Sequence, residues 1–324
     1  MSLRRVLVTG ANGFIGRHLC RTLAGEGTEV TACLRDSADA AVLSGIPNLR
    51  IQRVSALDAV HDLAPLLAGC DAVVHLAGRA HIMHDTAPDP LAEFRRVNVA
   101  ITAVLATMAA AAGVRRFLLA SSIKVSGEAT TGRPFCADDP PGFCDPYGQS
   151  KWEAEETLRE IAAAAGMQWV VVRPPLVYGP GVRANFLALM RAVYRGIPLP
   201  VGGVRNSRSM ISVYNLSDFI TRALDHPAAA GNRFFAADAE DVSTPGLVRA
   251  IARSLNRRPR LLPIPQSVLR AVAGALGRQA AVQRLCSSLT VDREKAQALL
   301  GWTAPLTLDA GLSRTAEWFL GSIS

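Results

Sequence analysis

Tyr147 and Lys151 stand four residues apart in Tyr-Gly-Gln-Ser-Lys, directly after Asp145-Pro146. On a helix that spacing stacks the two side chains on one face. An ammonium beside a phenol stabilises the phenolate. The pair therefore predicts a tyrosine that passes a proton to or from a sugar or alcohol oxygen, with its pKa drawn by the lysine toward working pH. Ser122 closes the run Phe117–Ala120 and Ser121, at the expected C-terminal edge of a parallel strand, where open α/β sheets bind ligands. A second chemical feature lies near the N-terminus. Thr9-Gly-Ala-Asn-Gly-Phe-Ile-Gly16 spaces glycines at 10, 13 and 16 between a strand-like run and a helix-like one. In that setting Gly10 permits a tight turn, Gly13 lets backbone N–H groups approach a pyrophosphate, and Gly16 lets the helix pack closely on the sheet. The next strand ends Cys33-Leu34-Arg35-Asp36. Leu34 cannot accept a ribose hydroxyl, whereas Arg35 can pair with a 2′-phosphate, which favours NADP(H). NAD(H) stays open because Asp36 is one small backbone shift from the ribose.

The elements that must hold these groups can be read from the apolar runs. Val6–Thr9, Glu29–Leu34, Ala72–Leu76, Phe117–Ala120 and Trp169–Arg173 show no period-2 alternation, as strands buried on both faces do. Between them Ile15–Gly25, Asp89–Gly113 and Ser150–Gly166 read as helices. Strand–helix alternation predicts an α/β fold with a doubly wound parallel sheet over residues 1–173. From Pro174 onward Pro and Gly punctuate short segments. Asn185–Tyr194 reads as a helix, and 244–300 as several shorter ones. This predicts a smaller, mostly helical lobe over 174–324, discontinuous and with some segments returning to the sheet domain.

Composition narrows the class. The chain has 324 residues, of which 49% are hydrophobic and 19% charged, so a disordered or collagenous chain is excluded. Thirty-five Lys and Arg against 27 Asp and Glu give +8. The arginines are scattered with no aromatic-interleaved patch, so no nucleic-acid partner is expected; the charge reads as a solvated surface, with a local anionic ligand such as a phosphate as the alternative. No apolar run reaches the roughly 18 residues of a spanning helix. Met-Ser-Leu-Arg-Arg leads straight into a strand with no signal-peptide core. The six cysteines form no C-x-x-C and no metal-like spacing with His. A cytoplasmic protein with reduced thiols and no metal is expected.

Taken in order, the motifs resemble the extended short-chain dehydrogenase/reductases, the nucleotide-sugar epimerase/dehydratase family. They are T-G-x-x-G-F-I-G (9–16), H-L-A-G (75–78), Asn98 in R-V-N-V, A-S-S-x-x-V-x-G (120–127), Y-x-x-x-K (147–151) and R-P-x-x-V-Y-G-P-G (173–181). The resemblance implies a Rossmann domain with a substrate lobe and a catalytic set of Ser122, Tyr147 and Lys151. It implies that Gly10, Asn12, Gly13, Phe14, Ile15, Gly16, Arg35, Leu76, Ala77, Gly78 and Pro174 hold the dinucleotide with Tyr147 and Lys151. A nucleotide sugar is implied at His81, Ser122, Lys124, Asn185, Leu199, Val201 and Arg208, with His84 beside His81. It also implies a homodimer that pairs the Ala-rich helices 89–113 and 150–166.

The departures sharpen the expectation. The family's 4,6-dehydratases carry Asp-Glu after the serine, where this chain has Ile123-Lys124. Its 4-epimerases usually keep an acidic residue after the second strand. Ala56 and Leu176 also replace residues common in relatives. The segments 79–85 and 121–128 look most like bacterial 4-ketoreductases of UDP-4-keto-6-deoxy-N-acetylhexosamines, which serve surface polysaccharide synthesis. The expected activity is therefore NADPH-dependent reduction of a nucleotide 4-ketosugar. A UDP-hexose 4-epimerase with bound NAD is the alternative among enzymes, and a non-catalytic dinucleotide sensor the alternative of another class.

Overall fold

The computed structural model describes residues 4–57, 60–79, 88–275, 277 and 279–323. Seven parallel strands form one sheet: β1 (Arg5–Thr9), β2 (Glu29–Arg35), β3 (Leu49–Val54), β4 (Ala72–His75), β5 (Arg116–Ala120), β6 (Gln168–Arg173) and β9 (Asn232–Phe235). Their order is 3-2-1-4-5-6-9, so the chain reverses direction across the sheet between β1 and β4, the doubly wound arrangement the apolar runs predicted. Two short strands, β7 (Leu176–Tyr178) and β8 (Met210–Ser212), pair separately in the second half. Alternate residues of each strand serve two cores. Leu7, Val73, Phe117, Leu119 and Val171 pack under the helices Ile101–Ala111 and Pro146–Ala165. Val6, Val8, Val74, Leu118 and Val170 pack under Phe14–Gly25 and Val213–Asp225. Burial on both faces explains why these strands show no alternation.

β3 escaped the sequence reading because Leu-Arg-Ile-Gln-Arg-Val is an edge strand, half of it exposed and half of it polar, with no continuous apolar run. β9 escaped because it is short and begins Asn-Arg. Both the helix Val213–Asp225 and β9 belong to the sheet layers. The second half therefore contributes to the first domain's core as well as to its own, which gathers around Phe186, Met190, Val248, Ile251 and Phe319.

Two helix boundaries matter for the site. The helix expected over 150–166 starts at Pro146, because Asp145 caps it. Asp145 Oδ1 accepts from Gly148 N at 2.7 Å, and Pro146 occupies the first turn. Tyr147 is thus helical. The helix expected over 89–113 runs Pro90–Ala111, and its Arg95–Ala100 turn is widened to π geometry. By length and composition this helix alone, among the described residues, could cross a membrane. One third of its most apolar window is buried in the protein.

Candidate active site

The glycine turn is built as its spacing requires. Gly10 has φ +68°, and a Cβ there would lie 2.8 Å from Ala77 N. A Cβ on Gly16 would lie 2.2 Å from Gly10 O. Gly13 N donates to Gly10 O at 3.0 Å, and the helix starts at Phe14. A cavity of about 640 Å³ opens beside this turn at the C-terminal ends of β1, β2 and β4. Gly10, Asn12, Gly13, Leu34, Arg35 and Leu76–Gly78 line it. So do Ala56 and two residues the sequence reading passed over, Arg79 and Arg96. No described residue lining the cavity is acidic, and three are arginines. Phe14 and Ile15 are not among its lining; Phe14 packs on the second lobe's core and Ile15 on the sheet's. A glycine cradle with no room for a Cβ, closed by guanidinium groups, fits a dinucleotide's phosphates.

Ser122, Tyr147 and Lys151 come together beyond Gly78. The Tyr147 side chain hydrogen-bonds to Ser122. Ser122 Oγ also accepts from Lys124 N at 3.2 Å. Pro174 O accepts from Ile123 N at 3.1 Å, which holds the serine turn against the end of β6. Lys151 is buried, and its Nζ lies 3.7 Å from where a Gly78 Cβ would be; that Cβ would press on Asn98 Oδ1 at 2.9 Å, so glycine is needed for the close approach of Asn98. Asn98, on the π turn, clamps the segment. Its Oδ1 accepts from Arg79 N at 2.8 Å, and its Nδ2 donates to Arg79 O at 3.1 Å and Ser150 Oγ at 3.0 Å. A π turn at a functional site is a recurrent device, and no residue pattern announced it.

The electrostatics differ from the sequence expectation in one respect. Burial pushes the Tyr147 phenol up to about 12, and the Ser122 hydrogen bond only partly opposes it. Lysine alone does not bring the phenol toward working pH, because desolvation of the phenolate outweighs it. Burial lowers Lys151 to about 8, opposed by the Glu155 charge. His75, the histidine of H-L-A-G, is fully buried. Desolvation, with the Lys151 charge second, lowers it to about 3. Neutral His75 meets Thr9 Oγ1 at 2.7 Å through Nδ1.

The residues expected on the substrate are spread more widely. His81 and His84 lie outside the described residues. Lys124 is committed to ion pairs with Glu128 and, at 3.2 Å, with Asp145 Oδ2, so it ties the serine turn to the cap of the Tyr147 helix. Asn185 is exposed in the first turn of Ala184–Tyr194. Leu199 pairs with Leu261, its N–H donating to Arg260 O at 2.8 Å, and Val201 is buried beside them. Arg208 is half-buried and donates to Ser287 O at 3.1 Å. Desolvation lowers its pKa, so the site is one where an anion would be welcome. A joint the motifs did not foretell links the two halves. Arg17 Nη2 at 2.7 Å and His18 Nε2 at 2.9 Å both meet Pro180 O, and Gly181 leaves no space for a Cβ against the Arg17 guanidinium.

A doubly wound sheet, a glycine cradle and a Ser–Tyr–Lys cluster at its carboxyl edge define a dinucleotide-dependent enzyme, and the chain belongs to the NAD dependent epimerase/dehydratase family, whose profile matches residues 6–236. It is 40% identical over 319 residues to a UDP-glucose 4-epimerase of Vibrio cholerae, covering 98% of this chain and 96% of that one. It is 30% identical to the N-acetyl-alpha-D-glucosaminyl-diphospho-ditrans,octacis-undecaprenol 4-epimerase of Escherichia coli O157:H7, over 97% and 94% of the two chains. Among solved structures it is similar to MoeE5 in complex with UDP-glucuronic acid and NAD, with a TM-score of 0.77, 28% identity, and 98% and 99% coverage.

Proposed function

We propose that the protein is a nucleotide-sugar 4-epimerase acting on a UDP-hexose with bound NAD. The observation that carries this reading over reduction is the 40% identity, along nearly the whole chain, to a UDP-glucose 4-epimerase. A bound nicotinamide would supply the acceptor and donor of a hydride. This chain's residues do the rest. Gly10, Gly13, Arg35 and Arg96 hold the dinucleotide's phosphates and ribose, and Tyr147 holds the proton exchanged with the sugar's C4 oxygen. Ser122 orients that oxygen through its bond to Tyr147, and the Lys151 ammonium supports the phenolate when it forms. Arg208 pairs with the diphosphate. Ile123-Lys124, with Lys124 tied to Asp145, offers no acid for eliminating water, which disfavours a dehydratase.

A second reading, NADPH-dependent reduction of a nucleotide 4-ketosugar, is favoured by one observation. The cavity meets the end of β2 with buried Leu34 and exposed Arg35 and with no described carboxylate. The separating experiment uses the purified protein. An epimerase releases dinucleotide on denaturation and converts UDP-galactose to UDP-glucose, or their N-acetyl counterparts, with nothing added. A reductase is isolated empty and oxidises added NADPH with a UDP-4-ketosugar, followed at the nicotinamide absorbance. The panel includes an undecaprenyl-diphosphate-linked N-acetylglucosamine, the substrate type named for the Escherichia coli relative. Turnover of none of these sinks both readings.

A further inference from the structure

Glu155 lies one turn beyond Lys151 and two beyond Tyr147, on the same helix face. Its side chain, like that of Arg173, is wholly shielded from solvent. Both its oxygens are saturated. Oε1 accepts from Ser121 Oγ at 2.5 Å and Arg173 Nε at 2.9 Å; Oε2 accepts from Arg173 Nη2 at 2.6 Å and Arg233 Nε at 3.0 Å. Each partner sits next to the site or carries it. Ser121 precedes Ser122, Arg173 ends β6 and precedes Pro174, and Arg233 comes from β9. The two guanidinium groups lie beside the Trp152 ring, 5.7 and 5.1 Å from its centroid. Arg233 is also balanced by Glu156, itself paired with Arg159. The charged and titratable groups facing this region are thus Arg173, Arg233, Glu156 and Lys151, with His75 from β4 beyond Lys151.

We propose that Glu155 is a positioning residue for the reaction: its carboxylate ties the Ser121-Ser122 turn, the end of β6 and the Tyr147–Lys151 helix into one unit, and supplies the negative charge that keeps the buried Lys151 an ammonium. The proposal rests on the assignment of Ser122, Tyr147 and Lys151 as the reacting set. A carboxylate that were only a strut would need its hydrogen bonds but not its charge. Burial already draws Lys151 down to about 8 with Glu155 opposing. Removing that charge takes away the anion that opposes desolvation at the lysine and leaves Arg233 with Glu156 alone, which disfavours the ammonium further.

The test exploits composition. The chain has three lysines, Lys124, Lys151 and Lys295. Protein grown with 13C-labelled lysine therefore gives three resonances to follow against pH, and Lys151→Met identifies one. The wild-type Lys151 midpoint is expected near 8. Glu155→Gln should lower it by about one pH unit, Arg233→Gln should raise it by a similar step, and the double variant should return toward wild type. The basic limb of kcat should move with the midpoint. Should Glu155→Gln not fold, by circular dichroism, Arg233→Gln decides alone. A midpoint that stays put in the variants that fold, or a kcat limb that stays put while the midpoint moves, overturns the proposal. The titration needs no substrate, so it stands apart from the test of UDP-sugar turnover. A midpoint that moves in a protein inert on every sugar of the panel leaves the role of Glu155 standing and indicts the function.

Discussion

Tyr147 and Lys151 share a helix face but are affected differently by burial. The phenol, pushed up to about 12, is protonated throughout the physiological range and is ready as a donor. Tyr147→Phe should lower turnover by roughly 10²–10⁴-fold, the usual share of a positioned proton carrier, and leave dinucleotide affinity within a few-fold of wild type. A variant keeping a tenth of the activity contradicts that role. Lys151 carries a cost in the other direction, because its folded pKa of about 8 lies below its ordinary 10.5. Below pH 8 both folded and unfolded chains hold the proton, and the penalty for burying the charge is fully present. Between 8 and 10.5 the folded chain has released its proton while the unfolded one has not, so stability rises with pH. Lys151→Met should therefore be inactive yet more stable at pH 7, by about 1–3 kcal/mol, and the gap should close by pH 10. Thermal melts at the two pH values decide this. At the cofactor end, Arg35→Ala should remove most of any preference for NADPH over NADH, by about tenfold or more, since charge-assisted bonds contribute roughly 1.5–3 kcal/mol each. The ratio of kcat/KM values with the two cofactors, or of Kd values if NAD is tightly held, measures it.

At the scale of elements, the glycine turn is the least replaceable piece. Gly10→Ala combines a left-handed backbone with a Cβ pressed on the Ala77 backbone. We expect a lower Tm and at least tenfold weaker dinucleotide binding by calorimetry, and unchanged binding refutes the cradle. This turn was legible in the sequence because glycine spacing encodes backbone geometry directly. The parallel strands were legible because burial on both faces leaves continuous apolar runs. Ser122, Tyr147 and Lys151 were legible because their spacing matches a motif. Other parts were not. β3 is an edge strand with arginines at every third residue, and β9 is four residues long. The π turn under Asn98 leaves no residue signature. Lys124 read as a substrate ligand because its ion pairs with Glu128 and Asp145 join segments that meet only in three dimensions. Glu155 read as one more helix residue, for its partners come from three different strand ends.

Across the whole molecule, the helices Pro90–Ala111 and Pro146–Ala165 lie side by side, linked by Arg95 and Glu153 at 2.6 Å. Of the alanines that make these helices candidates for a dimer face, Ala106, Ala109 and Ala162 are instead buried in the protomer's own core. On the first of these helices Thr107 and Ala111 are exposed and Ala103 is half-buried, which leaves them for a second copy. A dimer remains our expectation, and light scattering at micromolar concentration checks it; a monomer of 34.4 kDa refutes it. The Arg17–His18 joint to Pro180 bears on how the two halves are held. It fastens the helix behind the glycine turn to the loop leading into the substrate lobe, at one carbonyl. That carbonyl sets the phosphate end of the cleft and the substrate lobe in register with each other, beside the packing of Val213–Asp225 on the sheet.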